Sequence, residues 1–221
     1  MKFLILLLVI ITPVVTAFAD SEWELVTDNQ GIKVWTREKA GSAVKEVMTS
    51  GAVDAPSWRV LKVVTDLDGY ANFMPHTKES RILEKEGNEA LFYTRVAPPL
   101  ISDRDYTLKI VSTRIEGRER DFLIRFDQAN DRGPATIKGV VRVDVVRGYW
   151  QLETKNEGAT LLTYYVFTEP GGSVPDGLAN KANVQSVPAI IKAVRERVLL
   201  KQYECQDGEG SDCEDWKAIA E

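Results

Sequence analysis

Between residues 78 and 168 the chain repeats one pattern: short runs of alternating apolar and polar residues, separated by glycine- or asparagine-rich turns. Residues 78–84, 89–96, 105–115, 121–127, 139–146 and 160–168 read as strands on this basis. The turns at 86–88, 116–117 and 156–158 are too short to hold a crossover, so consecutive strands run antiparallel. Phe122, Ile124 and Phe126 share one face, and Val141, Val143 and Val145 are in phase with one another. Arg147-Gly148 predicts a bulge, after which Trp150 and Leu152 continue the strand.

The flanking regions add helices. Residues 21–26 are expected to start a short helix capped by Ser21, and strands follow at 32–37 and 42–53. Pro56 opens a helix that ends near 66–69, and residues 70–74 form a short helical piece stopped by Pro75. The last element is a helix from Asp176 to about Tyr203. Its stripe is Asn180, Val184, Val187, Ile191, Val194 and Val198. Pro188 lies inside that stripe and removes a backbone hydrogen bond to Val184, and Leu178 falls off it. An antiparallel sheet with segregated helices is an α+β architecture, with the last helix lying on the concave face.

One charge does not fit a plain core. In Asp103-Arg104-Asp105, counting by twos places Arg104 with Tyr106, Leu108 and Ile110, while both aspartates fall on the other face. A lone inward charge is expensive. Arg104 therefore has either a buried carboxylate partner, with Glu46 and Glu169 as the candidates, or an open space to face.

Composition narrows the function classes. The formal charge of −5 and the lack of a basic cluster argue against nucleic-acid binding. His76 is the sole histidine and follows Met74-Pro75, so it is expected at the surface or rim; no metal-ligand spacing or nucleophile–base pair is visible, and no cofactor is expected. Lys2, the apolar run 3–15 and Ala17-Phe18-Ala19 read as a secretory signal peptide cleaved after Ala19, which implies a periplasmic or secreted protein. The domain then spans 20–204, followed by an acidic tail, 205–221, with an expected disulfide between Cys205 and Cys213.

Four segments resemble the START family, lipid-binding proteins of the helix-grip superfamily. They are Asp54-Ala55-Pro56 with the helix after it, Tyr70-Ala71-Asn72-Phe73-Met74-Pro75, the stretch from Pro98 to Asp105 with its Ser102-Asp103-Arg104-Asp105 motif, and Gly171-Gly172-Ser173-Val174-Pro175. The resemblance implies a START-like curved sheet wrapped around the C-terminal helix, with an apolar tunnel for a lipid or other hydrophobic small molecule. It implies that Arg104 meets the polar end of the ligand. Ala97 stands where phosphatidylcholine-binding members have an aromatic residue, which puts a choline cage in doubt. Candidate lining residues are Tyr106, Tyr93, Phe73, Phe122, Phe126, Trp150, Tyr164, Leu178, Asn180, Val187 and Ile191, and the aromatic ones serve equally well as plain core. The expected protein is a monomer that binds or transfers its ligand, with transient membrane contact. The alternatives are a quinone or isoprenoid binder and a cyclase-like enzyme, for which Arg104, Tyr93 and Asn180 would polarise a carbonyl.

Overall fold

A computed structural model describes residues 21–99, 101–156, 158–205 and 217–220. The expected signal peptide lies outside the described residues, and so do Cys213 of the expected disulfide and the acidic loop before it.

Three strands come first: β1 (Glu24–Asn29), β2 (Ile32–Arg37) and β3 (Glu46–Val53). Helix α1 (Ser57–Val64) and a 3-10 turn, Asp68–Asn72, carry the chain to the far edge of the sheet. There follow β4 (Thr77–Glu86), β5 (Glu89–Val96), β6 (Arg104–Ile115), β7 (Arg118–Gln128), β8 (Val141–Arg142), β9 (Val145–Asn156) and β10 (Ala159–Glu169). Helix α2 (Asp176–Arg197) and the four-residue α3 (Lys217–Ala220) complete the order. The spatial order is β1-β2-β3-β10-β9-β7-β6-β5-β4. These neighbours pair antiparallel, and β8 joins β6 in parallel. Thus β10 returns to pair with β3, and the helices lie against one face of the curved sheet. This is the expected helix-grip architecture.

The two long helices divide the inner face. α1 rests mainly on β7, β9 and β10, whereas α2 rests on β2 and β3. Val60, Leu61, Val63 and Val64 of α1 and Ile191, Val194 and Val198 at the C-terminal end of α2 enter the same buried cluster. That end of α2 follows the predicted stripe. The other end does not: Ala179, not Asn180, is the residue buried there, against Val44 and Phe167. The α-helix also stops at Arg197 rather than near Tyr203, and a separate 3-10 turn, Lys201–Tyr203, follows.

Three local expectations are corrected. Residues 21–26 do not form a helix; β1 takes up the second half of that stretch, from Glu24, and Ser21 Oγ donates to the Glu38 carbonyl instead of capping. So short a segment cannot nucleate a helix alone, and the open edge of β2 satisfies its backbone instead. Residues 139–146 are not one strand. The backbone of Val143 is pinned by hydrogen bonds to the Asp105 carbonyl and from Asn130 Nδ2, which confines β8 to two residues. Arg147-Gly148 is not a bulge, because the register of β9 against β10 is continuous there. Gly148 stands opposite Phe126, and a Cβ at residue 148 would lie 2.6 Å from Phe126 Cζ. The glycine makes room for the Tyr165 carbonyl and the Phe126 ring, not for an extra residue.

Candidate functional site

The site is set by the pleat of β6. Arg104 pairs with Val96 of β5 and Val141 of β8, Tyr106 with Thr94, and Leu108 with Phe92. These residues face the helices. Asp103 and Asp105 are consumed elsewhere. Asp103 accepts from Arg95 Nε at 2.8 Å and from Lys78 Nζ at 3.2 Å, which holds its carboxyl below the usual range. Asp105 is 1% exposed and forms a two-pronged pair with Arg142 (2.7 and 3.0 Å), with the Tyr93 hydroxyl also donating to it. Both acids flanking Arg104 are therefore neutralised by cations from neighbouring segments.

Arg104 itself is 5% exposed. Its Nη1 donates to the Ser102 carbonyl, and its Nε is buried without a partner. Among the described residues no carboxylate pairs with it. Burial alone accounts for its lowered pKa. Glu46 is unavailable, being held by Arg37 at 2.6 Å, Lys39 at 3.7 Å and the Tyr165 hydroxyl at 2.6 Å. Glu169 does not pair with Arg104 either. Gly172, at φ +64, brings the loop before α2 over the guanidinium; a Cβ there would lie 3.9 Å from Arg104 Nη2.

Beyond Arg104 the inner face is aromatic. Tyr164 of β10 stands beside Trp150 of β9, with ring centroids 4.4 Å apart, and stacks with Phe126 of β7 at 6.0 Å. Tyr70 meets Phe73 and Phe92 edge-on. Burial raises the phenols of Tyr70, Tyr106 and Tyr164, Tyr106 to about 12. Yet each is only half-buried by area. Tyr70 spends its hydroxyl on the Val64 carbonyl at 2.5 Å. The hydroxyls of Tyr106 and Tyr164 have no hydrogen-bond partner among the described residues. Arg104, Tyr106 and Tyr164 thus supply polar groups to an otherwise apolar interior.

The other candidates separate. Phe73 is half-buried, with the Arg197 guanidinium 4.8 Å from its ring centre. Phe122 (1% exposed) and Ile191 (0%) are fully packed, and Val187 packs with Val34 and Val47 beneath α2, so these three are core. Tyr93 is a correction. It alternates with Phe92 and therefore lies on the outer face, hydrogen-bonded to Asp105 and covered by Arg81 at 4.9 Å. Asn180 is another: its Oδ1 accepts from the Lys45 amide at 2.8 Å and its Nδ2 donates to the Ala43 carbonyl at 3.1 Å, so it ties α2 to the start of β3. Leu178 is 47% exposed and does not reach the inner face. Sequence reasoning missed Tyr70 as part of the aromatic wall. Its signal was its place beside Phe73 in a segment already singled out.

The arrangement is matched by known proteins. The sequence profile of the polyketide cyclase / dehydrase and lipid transport family aligns with residues 53–195. The chain belongs to this family. Within it, the fold is that of a START domain. A STAR-related lipid transfer protein from Xanthomonas axonopodis superposes with a TM-score of 0.73 at 29% identity, over 80% of this chain and 98% of that one. The chain is 26% identical over 180 residues to the phosphatidylcholine transfer protein of Mus musculus, covering 80% of this chain and 83% of that protein. It is 29% identical over 175 residues to an uncharacterised protein of Pseudomonas aeruginosa, covering 79% and 85% respectively. In this START domain His76, the sole histidine, sits exposed at a turn with φ +58, apart from Arg104, Tyr106 and Tyr164.

Proposed function

We propose that the protein takes one lipid into the space between sheet and α2, with the acyl part against Phe126, Trp150 and Tyr164 and an anionic group against Arg104. The observation that carries this reading is the buried guanidinium without a carboxylate. A folded protein keeps such a charge only where something neutralises it in the working state. A phosphodiester or carboxylate fits, because it accepts from the guanidinium fork as a fixed pair of bonds. The Tyr106 and Tyr164 hydroxyls offer further donors. The mouse relative's description as a phosphatidylcholine transfer protein supports a phospholipid. The reading is of binding or carriage, as the lipid-transfer relatives support, and among the described residues no general base accompanies the interior donors.

The sequence features at residues 1–19 support an exported protein. It would act as a monomer outside the cytoplasm and touch membranes only while exchanging its cargo. Incubating the purified protein with vesicles of mixed phospholipids and fatty acids, followed by native mass spectrometry, tests the binding reading. The expected result is a one-to-one lipid adduct enriched in anionic-group lipids. Recovery of only bare protein from every vesicle type would remove it. Subcellular fractionation of a tagged full-length chain tests the export reading; a cytoplasmic, uncleaved product would contradict it.

A further inference from the structure

The long helices leave part of the sheet's inner face to another element. α1 rests mainly on β7, β9 and β10, and α2 on β2 and β3. The short helix α3 (Lys217–Ala220) lies beside β6. Ala220 is 4% exposed, and Ile219 packs onto the buried cluster that contains Phe92, Leu108 and Ile110. Ala218 stays exposed. Four residues cannot hold a helical turn by themselves; this turn is fixed by where its two inward apolar side chains go. They go to the strand that carries Arg104 and Tyr106, on the face proposed to receive the ligand.

We propose that the segment Lys217–Ala220 is a built-in occupant of the lipid site, which fills the β6 side of the interior in the empty protein and is displaced when an acyl chain enters. The inference rests on the lipid-binding reading above. Its physical content is competition. Ile219 and Ala220 shield apolar surface that an acyl chain would otherwise cover, so whatever holds them there is subtracted from the affinity for lipid. An occupant of this kind keeps the empty interior dry and its aromatic wall away from water between cargoes. It differs from a lid, which gains contacts when the ligand arrives, because this segment loses them.

The test compares the full chain, a chain ending at residue 216, and the full-length variant Ile219→Asp. Each is assayed for uptake of a fluorescent acyl-labelled phosphatidylcholine from phosphatidylcholine vesicles. Removing a competitor anchored by one partly buried isoleucine and one buried alanine is expected to tighten binding about tenfold. Ile219→Asp should shift affinity in the same direction, and it keeps the test intact if the shortened chain fails to fold. In the wild-type chain, lipid should speed amide exchange at 217–220. Equal or weaker uptake by both variants, with wild type still binding, overturns the occupant and leaves the lipid reading standing. Slower exchange at 217–220 on adding lipid also overturns it, by making the segment a clamp. Absence of uptake by all three chains removes the lipid reading and the occupant with it.

Discussion

Replacing Arg104 with leucine should make the empty protein more stable and the loaded protein harder to form. The guanidinium is 5% exposed and keeps one hydrogen bond, to the Ser102 carbonyl, while its Nε has none. Nothing ionic is broken by removing it, because Asp103 and Asp105 are already paired with Arg95, Lys78 and Arg142. Replacing buried charge with apolar volume is stabilising by about 1–4 kcal/mol in comparable cases. The low end applies here, since leucine does not fill all the space an arginine leaves; about 1–2 kcal/mol corresponds to a rise of roughly 2–8 °C in melting temperature for a domain of this size. Binding should move the other way. Losing a hydrogen bond to a charged group costs about 1.5–3 kcal/mol, or roughly a 10- to 150-fold weaker affinity. Calorimetry on lipid-free protein gives the first quantity and vesicle-uptake titration the second. A variant that melts several degrees lower and binds lipid with unchanged affinity would refute the reasoning, and would make Arg104 a strut between β6 and the loop at Gly172.

Three further outcomes follow from local geometry. Gly148→Val should destabilise the fold by about 1–3 kcal/mol, because the Tyr165 carbonyl and the Phe126 ring occupy the space a side chain needs; denaturant titration measures it, and a change within error would contradict this close approach. Asn180→Ala removes both side-chain bonds between α2 and residues 43–45, so exchange of the α2 amides near residue 180 should quicken while the amides around Ile191 stay protected. Burial pushes the Glu46 carboxyl up, but bonds from Tyr165 and Arg37 outweigh this and leave it below its usual value of 4.5. A depressed folded pKa means stability that is present above that value and lost as pH falls through the lower, folded one. The melting difference between wild type and Glu46→Gln should therefore hold at neutral pH and shrink progressively on acidification below about pH 4.5; a constant difference down to about pH 3 would contradict it.

Much of this structure could be read from residue order. Antiparallel strands with short turns declare themselves through period-two patterning, and the inward direction of Arg104 needed only counting from Tyr106. The errors have physical sources. β1 looked helical because its edge-strand side chains, among them Leu25 and Val26, are exposed on both faces and show no strand alternation. Gly148 looked like a bulge because a glycine within a strand has two explanations, and only the ring of Phe126 across the ladder decides between them. Tyr93 and Asn180 were drawn into the site by their chemistry. Their partners, Asp105 for one and the backbone of residues 43 and 45 for the other, become visible only once register and helix placement are known. Why Arg104 has no carboxylate is likewise unreadable from the chain: it depends on Arg37, Lys39 and Tyr165 holding Glu46.

On the proposed reading, in which Arg104 meets an anionic group, the alternation at Asp103-Arg104-Asp105 stores the ligand's sign as parity. Side chains on a strand change faces with every residue, so a one-residue slip of β6 against β5 would turn two carboxylates inward and the arginine outward. The same three residues would then favour a cation in place of the proposed anion. Insertion or deletion of a single residue in the proline turn before β6 would thus be a mutation in selectivity before it was one in stability, and cargo preference among chains of this architecture could invert through a change in strand length with no substitution in the pocket at all.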